Sequence, residues 1–242
     1  MKNMLKNITM SLEGVKNLIR YITILLALVL VSCSNGEVIP TTTTEVSAER
    51  PPEPISTFYH FKKSWLDITW EDSTFILTMP YATDKNFLKE KIYPCAKCLL
   101  RKDAGEALLK AQKEALSKGY KIIIFDCYRP LPLQQKMFDI KPDTKYIADP
   151  KRGSKHNKGV AVDISLADMD GKPLDMGTGF DNFSEKASYH STTVSAEAKK
   201  NRKLLRELML ANDFTPYDNE WWHFNYKKTD YPNEDFVWDC DE

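Results

Sequence analysis

The 242-residue chain has no excess of either charge: 34 Lys and Arg balance 34 Asp and Glu, which removes the net basic charge that nucleic-acid binding exploits. It has no H-E-x-x-H pattern, so the helical zinc-peptidase site is excluded. It has no internal repeats and therefore no repeat architecture. The apolar run near its start, Tyr21 to Val31, spans eleven residues, about half of the ~20 needed to cross a bilayer. Histidine is scarce, with four in all, and the C-x-x-C at Cys95 and Cys98 has no second such pair to complete a structural zinc site.

What is present is the composition of a soluble globular protein, 42% hydrophobic and 28% charged, at a length that suits one well-buried domain with extra segments. The first residues read as an export signal: a basic region ending at Arg20, the short apolar run, then small residues at Ser32 and Cys33. The ending L-V-S-C, Leu30 to Cys33, resembles the lipobox of bacterial lipoproteins, whose cysteine becomes lipid-modified. A plain cleaved signal, a buried core helix and an uncleaved anchor are the alternatives. Asn35 to Pro54 is rich in threonine and proline and suits a tether. The expected partition is a signal peptide over 1–32, a tether over 33–54 and a catalytic domain over 55–242. Without residues 1–32 the chain holds 30 basic and 33 acidic residues, near −3. An exported protein can keep disulfides. Cys95 and Cys98 invite a local bridge and Cys127 and Cys240 a long-range one, but spacing alone leaves the pairing open.

Along the chain, Trp65 to Trp70 and Phe75 to Met79 read as strands, followed by a loop from Tyr81. Ala104, Ala107, Leu108, Ala111 and Ala115 recur at helical spacing, with Gly119 placed to end the helix. Tyr120 to Cys127 is a continuous apolar run typical of a buried strand, and it delivers Tyr128-Arg129-Pro130 to the sheet edge. A short helix over Leu133 to Ile140, a strand over Gly159 to Leu166, a hairpin at Asp170-Gly171 with a return strand through Met176, a helix over Ser195 to Asn212 and an aromatic strand over Glu220 to Tyr226 complete the pattern. Helices and strands do not alternate regularly. The expected fold is therefore α+β, with a mainly antiparallel central sheet flanked by helices.

Two imidazoles and a carboxylate suffice to hold a zinc ion with one position left open for water. S-K-H-N-K-G-V-A-V-D, Ser154 to Asp163, offers His156 and Asp163, and E-W-W-H, Glu220 to His223, offers His223 with a spare glutamate. Strand parity constrains both runs. His156 and Asp163 are seven apart and would face opposite ways in one strand, so His156 belongs in the loop before it. Glu220 and His223 share a face only if the strand is bulged or begins after Glu220. Taken singly, each histidine is more commonly a surface or hydrogen-bonded residue than a ligand. His60 has a structural context, and His190 is expected near the site but outside the ligand set.

D-C-Y-R-P (Asp126 to Pro130), S-K-H-N-K-G-V-A-V-D, M-G-T-G-F-D (Met176 to Asp181) and E-W-W-H together resemble the D-alanyl-D-alanine dipeptidases of the VanX type. These belong to the wider zinc peptidases that include DD-carboxypeptidases and the hedgehog domain. The resemblance covers about Tyr81 to Phe236. It implies an α+β fold with one zinc per chain at the sheet surface, held by His156, Asp163 and His223. It implies Glu220 as catalytic base, Arg129 as stabiliser of the transition state and Asp181 as partner of the substrate ammonium, with Ser154 and Tyr81 as hydrogen-bonding neighbours. Cys127 stands where the family pattern has a small glycine, and Lys155 and Lys158 add charge beside His156.

The resulting expectation is a zinc-dependent dipeptidase acting on D-Ala-D-Ala or related peptidoglycan fragments. It would sit in the bacterial cell envelope, tethered to the membrane through a lipid on Cys33, with no nucleic-acid partner. The alternatives are a DD-carboxypeptidase or endopeptidase acting on longer stem peptides, and a non-catalytic lipoprotein that binds wall peptides.

Overall fold

The computed structural model describes residues 64–144 and 147–240. The expected signal segment, the tether, Cys33 and His60 lie outside the described residues. Strand β1 (Trp65–Asp67) is followed by the short helix α1 (Ile68–Glu71), β2 (Ile76–Leu77), β3 (Leu99–Arg101), α2 (Lys102–Ser117), β4 (Tyr120–Asp126) and α3 (Leu131–Ile140). Then come β5 (Ala161–Asp168), α4 (Ala196–Ala211), β6 (Phe214–Tyr217) and β7 (Glu220–Tyr226). The expected α+β class holds. A five-stranded sheet runs in the order β2-β4-β5-β7-β6, with β2 parallel to β4 and every other pairing antiparallel, and β1 pairs β3 in a separate ribbon.

The main helices follow their apolar spacing. Ala104, Ala107, Leu108, Ala111 and Ala115 form the buried stripe of α2, and α4 starts where the Ser195 side chain accepts from the Ala198 amide. Helix α3 begins two residues earlier than expected, because Pro130 precedes it and Pro132 fits its first turn, where no amide donor is needed.

Three segments depart from the sequence reading for local reasons. Only Trp65–Asp67 of the first apolar run is a strand: the Asp67 carboxylate accepts from the Thr69 amide at 3.0 Å and starts α1. The Phe75 to Met79 run shrinks to Ile76–Leu77, since Met79 takes a left-handed conformation, φ 33°, and Pro80 opens a 3₁₀ turn that carries Tyr81. The return strand after Asp170-Gly171 reduces to a single bridge between Ala167 and Pro173, because proline has no amide with which to continue a ladder.

The cysteines pair across both of the anticipated bridges. Cys95 joins Cys240, and Cys98 joins Cys127. Neither the local Cys95–Cys98 bridge nor a Cys127–Cys240 bridge forms. The chain after β7 runs back over the outside of the fold: Tyr128 stacks on Phe236 with ring centroids 4.6 Å apart, and Trp238 lies against Tyr93 at 5.2 Å.

Candidate active site

The site grows from one row of the sheet. In the register, Asp126 of β4 lies opposite Asp163 of β5, and Asp163 lies opposite His223 of β7. Residues directly opposite one another project from the same face. Asp126 joins this row through an irregularity: Ile124 pairs with Ile164 while Asp126 pairs with Asp163, so β4 uses two residues where β5 uses one. Without that bulge Phe125 would oppose Asp163 and the Asp126 carboxyl would point away. On β5, Asp163 and Ser165 alternate with Val162, Ile164 and Leu166, so parity sets the carboxylate on the opposite face from those three side chains.

His156 comes from outside the strand. A 3₁₀ turn over His156–Lys158 ends at Gly159 with φ 68°, a conformation that favours glycine. A Cβ there would also lie 2.3 Å from the Trp65 ring. Ser154 holds the start of this turn, because its amide and hydroxyl both reach Asn157 Oδ1, at 2.6 and 2.9 Å. The Asn157 side chain in turn donates to the Arg129 carbonyl at 2.7 Å.

These elements bring three donor atoms together. His156 Nε2 lies 3.2 Å from His223 Nδ1 and 3.4 Å from Asp163 Oδ2, and His223 Nδ1 lies 2.9 Å from Asp163 Oδ1. His156, Asp163 and His223 form the group with metal-ligand potential among the described residues, with ligand atoms all within 4.8 Å of one another. Zinc bonds to nitrogen and oxygen of about 2.0–2.1 Å give a tetrahedron with an edge of roughly 3.3 Å, so these spacings fit that ion. The outward nitrogens are also committed. His156 Nδ1 donates to the Cys127 carbonyl at 2.6 Å and His223 Nε2 donates to Asn225 Oδ1 at 3.0 Å, so in the neutral imidazoles the inward nitrogens present lone pairs. Burial alone would raise the Asp163 carboxyl, but the charges and hydrogen bonds of His156 and His223 hold it below the usual carboxylate range. Burial opposes a charge on His223, yet its contact with Asp163 raises the imidazole above its ordinary value.

Glu220 reaches the same site because the β6–β7 pairing is broken. It passes from Pro216 opposite Phe224 directly to Tyr217 opposite Glu220, and Trp221 and Trp222 are both buried where strict alternation would expose one. The strand starts at Glu220, so the irregularity, and not a late start, resolves the parity problem. Burial raises the Glu220 carboxyl; the positive charge of His223 counters this and the negative charge of Asp163 adds to it. A partly buried carboxyl with a raised pKa holds a proton more readily than an exposed glutamate does.

Arg129 is a buried, fixed cation. Its Nη2 donates to Asp126 Oδ2 at 2.6 Å, its Nη1 to Gln134 Oε1 at 2.9 Å and its Nε to the Tyr93 hydroxyl at 3.3 Å. Burial works against its charge, but Asp126, Tyr93 and Tyr81 more than offset this and keep the guanidinium protonated. Asp126 also accepts from the Tyr93 hydroxyl at 2.7 Å and lies 3.7 Å from His156 Nδ1. Across the site, Tyr81 donates to Asp181 Oδ2 at 2.8 Å and its ring lies 5.4 Å from the Arg129 guanidinium carbon. Burial raises the Asp181 carboxyl well above its ordinary value; the Tyr81 hydrogen bond opposes that shift and the negative charge of Asp163 reinforces it.

His156, Asp163, His223, Glu220, Arg129, Asp181 and Tyr81 therefore lie in one neighbourhood, while Ser154 contacts Asn157 at the start of the turn that carries His156. His190 does not lie there: it is exposed and pairs with Asp218 at 3.4 Å. Asp126, Tyr93, Gln134, Asn157 and Asn225 carry no role that the sequence motifs imply. Asp126 stood inside a recognised motif, but the bulge that turns it toward the site has no signature in spacing.

The family model for the D-Ala-D-Ala dipeptidases of the M15 peptidases matches residues 71–239. The chain belongs to the D-Ala-D-Ala dipeptidase family. It is 38% identical over 148 residues to the D-alanyl-D-alanine dipeptidase of Escherichia coli K12, an alignment covering 61% of this chain and 77% of the relative. It is 28% identical over 177 residues to the D-alanyl-D-alanine dipeptidase of Enterococcus faecium, covering 64% and 88%. Among solved structures, a vancomycin-resistance D,D-pentapeptidase in complex with Zn(II) aligns at 17% identity and a TM-score of 0.37, over 55% of this chain and 75% of that one. The match to the dipeptidase family takes in every proposed site residue from Tyr81 to His223.

Proposed function

We propose that the chain is a zinc-dependent dipeptidase that hydrolyses D-Ala-D-Ala or related cell-wall dipeptides. The observation that carries this reading is the convergence of His156 Nε2, an Asp163 oxygen and His223 Nδ1 beside Glu220 and Arg129, in a chain of the D-Ala-D-Ala dipeptidase family. His156, Asp163 and His223 would hold the metal at the surface of the sheet. When bound, zinc supplies Lewis acidity that makes water a nucleophile near neutral pH.

The chain's own residues do the rest. Glu220 takes a proton from the attacking water and returns it to the leaving amine. Arg129 faces the negative charge that develops on the carbonyl oxygen; because Asp126, Gln134 and Tyr93 already hold it, little reorganisation is needed at the moment of reaction. Asp181 receives the substrate ammonium, and that cation compensates a carboxylate which burial otherwise disfavours. Tyr81 keeps the Asp181 carboxyl oriented. The Ser154 hydroxyl, which donates to Asn157 Oδ1 and accepts from the Asn157 amide, retains one lone pair for a substrate donor.

Residues 1–32 would be a lipoprotein signal peptide, Cys33 the lipid-bearing residue, 33–54 a tether and 55–242 the catalytic domain, anchored in the bacterial cell envelope. The two disulfides support this reading, since such bonds persist in oxidising compartments. Substituting Cys33→Ala should release the protein from the membrane fraction; unchanged fractionation overturns the anchor.

The deciding experiment measures hydrolysis of D-Ala-D-Ala, L-Ala-D-Ala and a stem pentapeptide side by side, before and after chelation and with zinc restored. The proposal expects metal-dependent cleavage with free D-Ala-D-Ala preferred. Preference for the pentapeptide would make the chain a carboxypeptidase, and metal binding without turnover would make it a binding protein.

A further inference from the structure

The Cys98–Cys127 bridge lies directly behind the catalytic groups. Both half-cystines are fully buried, and Cys127 follows Asp126 and precedes Tyr128 and Arg129. The backbone around Cys127 serves both halves of the site. Its amide donates to Asp126 Oδ1 at 2.9 Å, on the carboxylate that grips Arg129, and its carbonyl accepts from His156 Nδ1 at 2.6 Å. On the other side, Cys98 adjoins β3, and that strand touches the same two segments by hydrogen bonds. The Tyr128 amide donates to the Leu99 carbonyl at 3.0 Å, the Arg101 amide to the Gly159 carbonyl at 2.9 Å and Arg101 Nε to the Lys158 carbonyl at 3.1 Å. The segment carrying Arg129 and the turn carrying His156 are thus tied to one short strand, and the bridge is the covalent tie among them.

We propose that the Cys98–Cys127 disulfide is a positioning element of the active site: by fixing the Asp126–Arg129 segment to β3, it sets the Arg129 guanidinium and the carbonyl that orients the metal-facing nitrogen of His156. This deepens the dipeptidase reading and, for its catalytic consequence, rests on it. The bridge touches no substrate and acts through Asp126 and His156.

The second disulfide supplies an internal control. Cys95–Cys240 spans 145 residues of sequence against 29 for Cys98–Cys127, so on the loop-entropy account it restrains the unfolded chain more. A purely structural role for both bridges predicts that losing Cys95–Cys240 does more harm to stability and no less to activity. A positioning role predicts that the two effects cross over.

The test uses the full chain with Cys98→Ala and Cys127→Ala together, with Cys98→Val and Cys127→Ala as a better-filled second pair, and Cys95→Ala with Cys240→Ala as the control. Alanine and valine avoid leaving a buried hydroxyl without a partner. Zinc affinity is read by chelator competition, and kcat and KM on D-Ala-D-Ala are measured well below every melting temperature. The proposal expects the Cys98/Cys127 pairs to bind zinc about 10-fold or more weakly, as loss of a group supporting a ligand commonly does. Their kcat should fall by at least a similar factor, with KM changed less. The control should melt lowest yet keep zinc affinity and kcat within about twofold of the parent. Parent-like zinc affinity and kcat in a folded Cys98/Cys127 variant overturn the proposal. So does failure of both pairs to fold while the control folds, since the bridge would then be a stability element. If the parent binds zinc but does not cleave D-Ala-D-Ala, the substrate reading fails, and the affinity measurement still tests the bridge.

Discussion

The candidate metal donors and the Arg129 cation share one neighbourhood, yet they are held by different kinds of order. Asp163 and His223 sit opposite each other on adjacent strands, so backbone register alone sets their common face and spacing. Arg129 lies beyond the end of β4, where no ladder holds it. A buried carboxylate, a glutamine, a tyrosine hydroxyl and a disulfide in the neighbouring backbone do so instead. His156 belongs to both arrangements: its Nε2 joins the donor row and its Nδ1 leans on the backbone beside the disulfide. Strand register can therefore align donor side chains on one face, while a fixed cation outside the sheet needs its own tertiary scaffold.

The contrast can be broken most forcefully at the donor row. His223→Ala removes one of three ligands, and the expected outcome is loss of both bound zinc, from about one per chain, and measurable hydrolysis; metal analysis alongside the activity assay checks it. A variant that kept stoichiometric zinc would remove His223 from the ligand set.

Glu220→Gln is expected to lower kcat by about 10²–10⁴-fold, the range of a positioned general base, while zinc content stays at the parental level. The pH profile sharpens this assignment. The Glu220 carboxyl is raised above its ordinary value, chiefly by burial, and a base acts only when deprotonated. Parental kcat/KM should therefore fall as pH drops through that raised value, at a higher pH than an exposed glutamate would give. The residual activity of the Gln variant should lack this acid limb.

Arg129→Lys keeps the charge but cannot reproduce the fork that reaches both Asp126 and Gln134. The expected loss is about 10²–10³-fold in kcat, comparable to removing a donor to a developing oxyanion, with zinc affinity nearly unchanged. If Arg129→Lys instead stripped the metal, the cation pocket and the donor row would be one unit, and the distinction between them would be lost.

The smallest effect is expected at Asp181, whose left-handed backbone, φ 56°, also suits asparagine. Asp181→Asn should raise KM about tenfold while leaving kcat and zinc less affected. Its folded-state pKa is raised above the unfolded value, so the stability it contributes is present below the unfolded pKa and is lost as pH rises through the folded one. The variant should therefore melt above the parent at neutral pH, and that advantage should shrink toward acid pH, as thermal melts across pH would show.

Much of the fold was legible in the sequence because its cues are local. The alanine and leucine stripe of α2 and the apolar run of β4 depend on neighbours within a few turns or one strand. The three donors that could hold a metal, His156, Asp163 and His223, lie in short motifs, and parity placed His156 in a turn, which is where it lies. The support around Arg129 was not legible. Asp126 acts through a bulge, Tyr93 is 33 residues from its partner Asp126, and the disulfides exchange partners relative to the local and long-range pairs the sequence invites.

By itself the sequence determined the α+β class, the family and the residue types of the site, because periodicity and short motifs are properties of contiguous chain. Only the tertiary structure decided which carboxylate grips Arg129, which nitrogen of each histidine faces the metal position and which cysteines meet. Those outcomes depend on a bulge in β4, a broken pairing between β6 and β7, and the path of the chain after β7, all of which join residues that the sequence keeps apart.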